Sequence, residues 1–221
     1  MRLKNIYRIG LLLALAFFSF LMVRLSLPYT EMRSDVDFLQ TKQNVYHIGY
    51  WRYSFYIHVF TSSLVLIAGF TQFNAYILRR YPRIHRAMGW TYLVTVVGIS
   101  GPAAFMMALH ANGGLPARTS FTLLSVLWLA FTFWAGWLAV RRRFIDHGAY
   151  MFRSYSLTLS AITLRIYTYL SVFLPLHASP RDIYITTAWL SWVPNLIVAE
   201  MLIRSGWVKK IGVRSQRAAR A

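Results

Sequence analysis

The sequence predicts an all-α protein, a six-transmembrane-helix bundle with N-terminus and C-terminus cytoplasmic. Three observations predict it. Hydrophobic residues make up 57% of the chain and charged residues only 14%, against about 25% charged in a soluble domain. Six stretches approach the roughly 20 apolar residues that one helix needs to cross a bilayer. Lys and Arg cluster in alternate connections between those stretches, as cytoplasmic loops do.

The first stretch, 9–27, follows Arg2, Lys4 and Arg8 and is interrupted near its end by Arg24, which can snorkel to the headgroups. A signal peptide would show a small-x-small cleavage site. Here the apolar core runs into Met22-Val23-Arg24-Leu25, so an uncleaved helix is expected. The other five stretches are 54–78, 88–109, 119–140, 155–176 and 183–203. Of the 24 Lys and Arg residues, 17 fall in the N-terminus, the second and fourth connections and the tail, and five on the opposite side. That bias puts both termini in the cytoplasm, as an even number of spans requires.

The expected organisation is 1–28 as an N-terminal transmembrane helix, 29–53 as an extracytoplasmic loop, 54–205 as a five-helix membrane core and 206–221 as a basic cytoplasmic tail. The expected location is the bacterial cytoplasmic (inner) membrane, and the lipid bilayer is the first partner. The tail touches anionic lipid. A net charge of +18 does not point to nucleic acid, because the basic residues sit in short clusters between apolar runs rather than on one water-soluble face. The absence of cysteine excludes disulfides, thiolate metal sites, Fe–S clusters and covalently attached haem. No phosphate loop, serine triad or paired catalytic carboxylates occur. An enzymatic role is neither indicated nor excluded.

Polar residues inside the apolar runs are the candidates for function. Arg165 interrupts the fifth stretch, and Glu200 in the sixth is the only acidic residue within a span. Counting 1.5 Å per residue leaves them roughly 9 Å apart in depth, and Asn195 matches Arg165 better. Pro194 is expected to bend the sixth helix beside it. Arg165 either ties helices five and six together or holds an anionic group: a haem propionate, a quinone head or a lipid phosphate. His85 and His147 both open helices at the cytoplasmic boundary; His58 lies toward the outer end of the second helix, and His110 and His177 at outer helix ends. At about 100° per residue, His147 shares a face with Arg165, His85 with Tyr92, and His58 with Gln72. A common polar interior follows, lined also by Arg153, Asn195 and Glu200.

Two histidines at one depth on different helices suit a b-type haem, each giving one imidazole nitrogen to iron. His85 with His147 is the inner pair, and His58 with His110 an outer one. The alternatives are a small cation held by His85, His147 and Asp146, suited to zinc or manganese, or simple headgroup contact. Gly98 and Gly101 beside Pro102 predict a close helix contact and a kink in the third helix.

The run from His58 to Gly69 and Gln72, HRAMGWTYL at 85–93, DHGAYMFRSY at 146–155 and LRIY at 164–167 resemble the bacterial membrane proteins grouped as domain of unknown function 2306. The resemblance covers helices two to six. It implies that His58, His85, His147, Met151, Arg153 and Arg165 are family features; Tyr150 departs from the pattern, which has tryptophan before the methionine. The arrangement is also similar to the cytochrome b561 class, although the fourth helix lacks the histidine a second haem would need. Three readings result: a haem-binding or quinone-linked electron-transfer protein, a small-molecule carrier with a polar intramembrane cavity, or an assembly scaffold without cofactor. The sequence points to no particular protein partner.

Overall fold

The computed structural model describes residues 2–73, 75–174 and 178–206. The elements among them are helical. Helix α1 spans Arg2–Ser26 and tightens into a 3₁₀ turn, Leu27–Glu31, with Pro28 in its first turn, where a missing N–H costs no helical bond. The basic tail beyond Gly206, His177 and Trp207 lie outside the described residues.

The segment expected to be a loop is instead an ordered cap. A 3₁₀ helix, Asp37–Lys42, and the short helix α2, Gln43–Tyr46, fold over the start of α3, Gly49–Phe70. Tyr29, Leu39, Trp51, Phe55 and Tyr56 form its own apolar core. The Tyr29 ring meets the Phe55 ring edge-on at 5.1 Å and Trp51 stacks on it at 5.7 Å. Trp51 and Tyr56 are buried here.

The apolar run at 54–78 does not stay one helix. It ends at Phe70 in a turn and resumes as α4, Ala75–Arg80. Next come α5, Pro82–Val94, a π-helical turn at Thr95–Ser100 and α6, Gly101–Ala108. The expected irregularity beside Pro102 takes this π form, as wide turns ahead of a missing donor commonly do. Gly101 makes the close contact, since a Cβ there would come 2.5 Å from Leu129 Cδ2, whereas Gly98 faces open space. Helix α7, Leu115–Val140, packs against α6 on one side and against α8, Phe144–Thr158, on the other. Helix α8 begins eleven residues before the expected start of the fifth span and runs through Leu159 into α9, Ser160–Phe173. Helix α10, Pro180–Leu190, is separated from α11, Val193–Arg204, by a break just ahead of Pro194, where the bend was expected.

Four helical runs are long and apolar enough to cross a membrane: Leu12–Glu31, Pro82–Ala108, Leu115–Val140 and Pro180–Arg204. At most 39% of each run's apolar window is buried inside the protein. The remaining apolar surface suits lipid, where every backbone group must be bonded within its own helix.

Candidate functional site

The polar groups of the bundle form four separate sets. The first lies at the end bearing His85 and the fourth toward the end bearing the cap.

At the first end, Pro82 starts α5 and His85 follows in its first turn, its backbone N–H donating to Tyr81 O at 3.1 Å. Its Nδ1 is buried and has no hydrogen-bond partner among the described residues. Gln72, buried in the turn after α3, donates from Nε2 to His85 O at 3.2 Å. Gly89 makes room for that amide, since a Cβ there would lie 3.2 Å from Gln72 Oε1. His147, in the first turn of α8, donates from Nδ1 to Ala135 O of α7 at 2.8 Å. A proton on Nδ1 leaves Nε2 as a free lone pair, the arrangement in which ligating histidines are usually held. The two imidazoles lie within electrostatic reach of each other. Asp146 is taken by Arg143, with N to O 2.7 Å. No group of three or more metal-binding side chains exists among the described residues. The expected cation site with Asp146 is therefore not assembled.

Next comes a layer of hydroxyls joining α5, α7 and α8. Tyr92, fully buried, meets Ser154 Oγ at 2.8 Å and Thr158 Oγ1 at 2.7 Å. Trp128 Nε1 donates to Thr158 Oγ1 at 2.9 Å. Thr132 Oγ1 donates to Trp128 O at 2.6 Å and lies 2.6 Å from Ser154 Oγ. Every member has a partner, which is what makes a buried polar cluster stable rather than costly. Of these five residues the sequence reading singled out Tyr92 as a polar residue. The signal it missed was Ser154 and Thr158, four apart on one face of α8.

The third set ties α8 and α9 to α11. Arg153 clamps Glu200 with both ends of its guanidinium, Nη2 to Oε2 at 3.0 Å. The partner of Glu200 is thus Arg153, not Arg165. Glu200 lies one turn from the end of α11 and meets the second half of α8. Asn195 Nδ2 donates to Thr163 Oγ1 at 3.1 Å and to the backbone oxygens of Ser156 and Ser191. It does not meet Arg165 either.

The fourth set lies toward the cap. His58 Nδ1 is 3.1 Å from both the hydroxyl and the backbone oxygen of Ser100, and its ring stands edge-on to Trp128 at 6.4 Å. His110 is bound elsewhere, its Nε2 2.5 Å from Tyr50 OH, so His58 and His110 do not face each other as a pair. Arg165 donates from Nη1 to Ala161 O of its own helix at 2.9 Å and lies within electrostatic reach of Tyr29, Tyr169 and His58. His147 and Arg165 share a face of one helical run but stand 18 residues, or about 27 Å, apart. A group held at His147 is beyond the reach of Arg165, which corrects the expected propionate contact. The single common interior is likewise replaced by four sets, with the Tyr92 layer filling the middle.

Two grooves open on the surface between α5–α6 and α7. They are lined by apolar side chains such as Val97, Phe105, Phe133 and Trp134 and touch none of these sets.

Residues 55–203 match the family of predicted membrane proteins DUF2306. The chain belongs to that family. All but the edge of the polar framework falls within the DUF2306 region, including His58, Gln72, His85, Tyr92, His147, Arg153, Arg165, Asn195 and Glu200. Helix α1 and most of the cap precede it. No curated protein and no solved structure matches the chain.

Proposed function

We propose that this DUF2306 protein binds a b-type haem between His85 and His147 and serves electron transfer in the membrane. The observation that carries this reading is the state of the two imidazoles. His147 has its Nδ1–H committed to Ala135 O, so Nε2 is available as a ligand. His85, within electrostatic reach, keeps a buried ring nitrogen with no hydrogen-bond partner among the described residues. A buried ring nitrogen left unbonded is costly, and in the tautomer that leaves it unprotonated an iron ligand bond is one way to satisfy it. A closed cation site needs three or four protein ligands, whereas haem asks for two axial ones. Met88, Phe131 and Tyr150, packed against the apolar core, would exclude water from the site. When bound, haem supplies one-electron chemistry that the side chains themselves do not offer.

The same reading takes six spans, with α3 and the run at 144–173 completing the four long apolar runs. It places both termini in the cytoplasm and the protein in a bacterial inner membrane, supported by the distribution of Lys and Arg. A carrier would need a polar route through the bundle, and the satisfied Tyr92 layer weighs against one.

The test is spectroscopic. Protein purified after expression with added haem should show a Soret band that shifts on reduction with dithionite. His85→Ala and His147→Ala should each abolish the low-spin spectrum. Colourless wild-type protein, or variants with unchanged spectra, would overturn the assignment.

A further inference from the structure

Arg165, on α9, is a cation without a counter-ion among the described residues. All six acidic residues lie in the described part of the chain, and none is its partner. Glu31 and Asp35 lie against Arg33, Asp146 against Arg143 and Glu200 against Arg153. Asp182 accepts from Ser179, and Asp37 opens a 3₁₀ helix of the cap with no ion pair to Arg165. A guanidinium carries five N–H donors, and the acceptor Arg165 meets among the described residues is a carbonyl of its own helix. Helix α9 ends at Phe173, so Arg165 sits about 12 Å below that end. Tyr29, within its electrostatic reach, belongs to the cap, its hydroxyl accepting from Phe38 N at 3.4 Å. The guanidinium therefore lies at the foot of the cap, where α1 ends, rather than at mid-bilayer.

The walls around it are apolar. Met22 of α1, Leu66 of α3 and Ile162 of α9 pack together beneath it. Phe18 and Leu25 of α1 and Ile166 of α9 pack against that cluster. A cation with fork donors to spare, beside an apolar cluster shared by three helices, matches an amphiphile with an anionic phosphoryl head. The planar guanidinium fits phosphate oxygens two at a time.

We propose that Arg165 binds the phosphate of a membrane phospholipid at the junction of α1, α3 and α9. The proposal is independent of the haem reading, since the two sites lie at opposite ends of the bundle.

The experiment is lipid-phosphorus analysis of protein stripped by extended detergent washing. Wild type should retain one phospholipid per chain more than Arg165→Gln, with Arg165→Lys between them. Equal retention by folded Arg165→Gln would overturn the proposal. If that variant fails to fold, the wild type still decides. Washed wild-type protein with no bound phospholipid, and a melting temperature unmoved by added phosphatidylglycerol, would overturn it equally. Displacement of the lipid by millimolar inorganic phosphate would show a soluble anion to be the ligand and overturn the lipid assignment.

Discussion

The two ends of the molecule treat a buried nitrogen in opposite ways. In the cap, Lys42 is only 2% exposed, yet its ammonium donates to His110 O at 2.6 Å and Asn112 Oδ1 at 2.7 Å. The rings of Phe38 and Trp51 lie 5.5 and 5.8 Å away, within cation–π range. At the other end, His85 Nδ1 is buried with no hydrogen-bond partner among the described residues. The difference separates a structural polar group from a functional candidate. Lys42 uses its donors to join segments about 70 residues apart in the chain, and its environment is complete. His85 keeps coordination capacity that the fold itself does not use. Trp51 Nε1 is also buried without a partner among the described residues, but an indole N–H is a donor with no lone pair to give a metal, so it carries no such implication.

The strongest way to break this contrast is Lys42→Ala. It should leave His110 O and Asn112 without their donor and open a void, costing about 2–4 kcal/mol. Thermal unfolding of the detergent-solubilised protein should show that loss, and an unchanged melting temperature would mean the cap does not depend on Lys42. A second measurement uses pH. Burial pushes the Lys42 ammonium from 10.5 down to about 8. Between those values the unfolded chain holds a proton that the folded chain has released, so stability should rise with pH across that window and be flat below it. The neutral amine still has two N–H donors for its two acceptors. Lys42→Met should remove this rise, and a melting temperature that falls from pH 8 to 10 in the wild type would contradict the buried-cation description. The smallest effect is expected at the other end. In haem-free protein, His85→Leu removes an unsatisfied nitrogen rather than a bond, and its stability should lie within about 1 kcal/mol of wild type. A loss as large as that of Lys42→Ala would show His85 to be an ordinary structural residue.

How much of this was legible in the sequence depends on the range of the interaction. The apolar runs, the irregularity at Pro102 and the break before Pro194 are local, because backbone sterics and missing donors act within one turn. The cap was not legible. Its 3₁₀ turns carry no strong periodicity and are held by Lys42, whose acceptors follow α6. The partner of Glu200 was missed because pairing depends on which helices are neighbours, not on depth along one of them. Arg165 looked more central than it is, because hydropathy does not register the polar first turns of α8 and places the start of that helical run too late.

Composition and charge distribution by themselves determined that this chain is a multi-pass helical membrane protein. Hydrophobic length and the cost of moving charge across a bilayer are summed along the chain and need no coordinates. Tertiary structure alone decided which polar groups meet: Arg153 with Glu200, Tyr92 with Ser154 and Thr158, His147 with Ala135. Those contacts require side chains to converge within about 3 Å, and that is set by how helices rotate and pack against one another, not by their order in the chain.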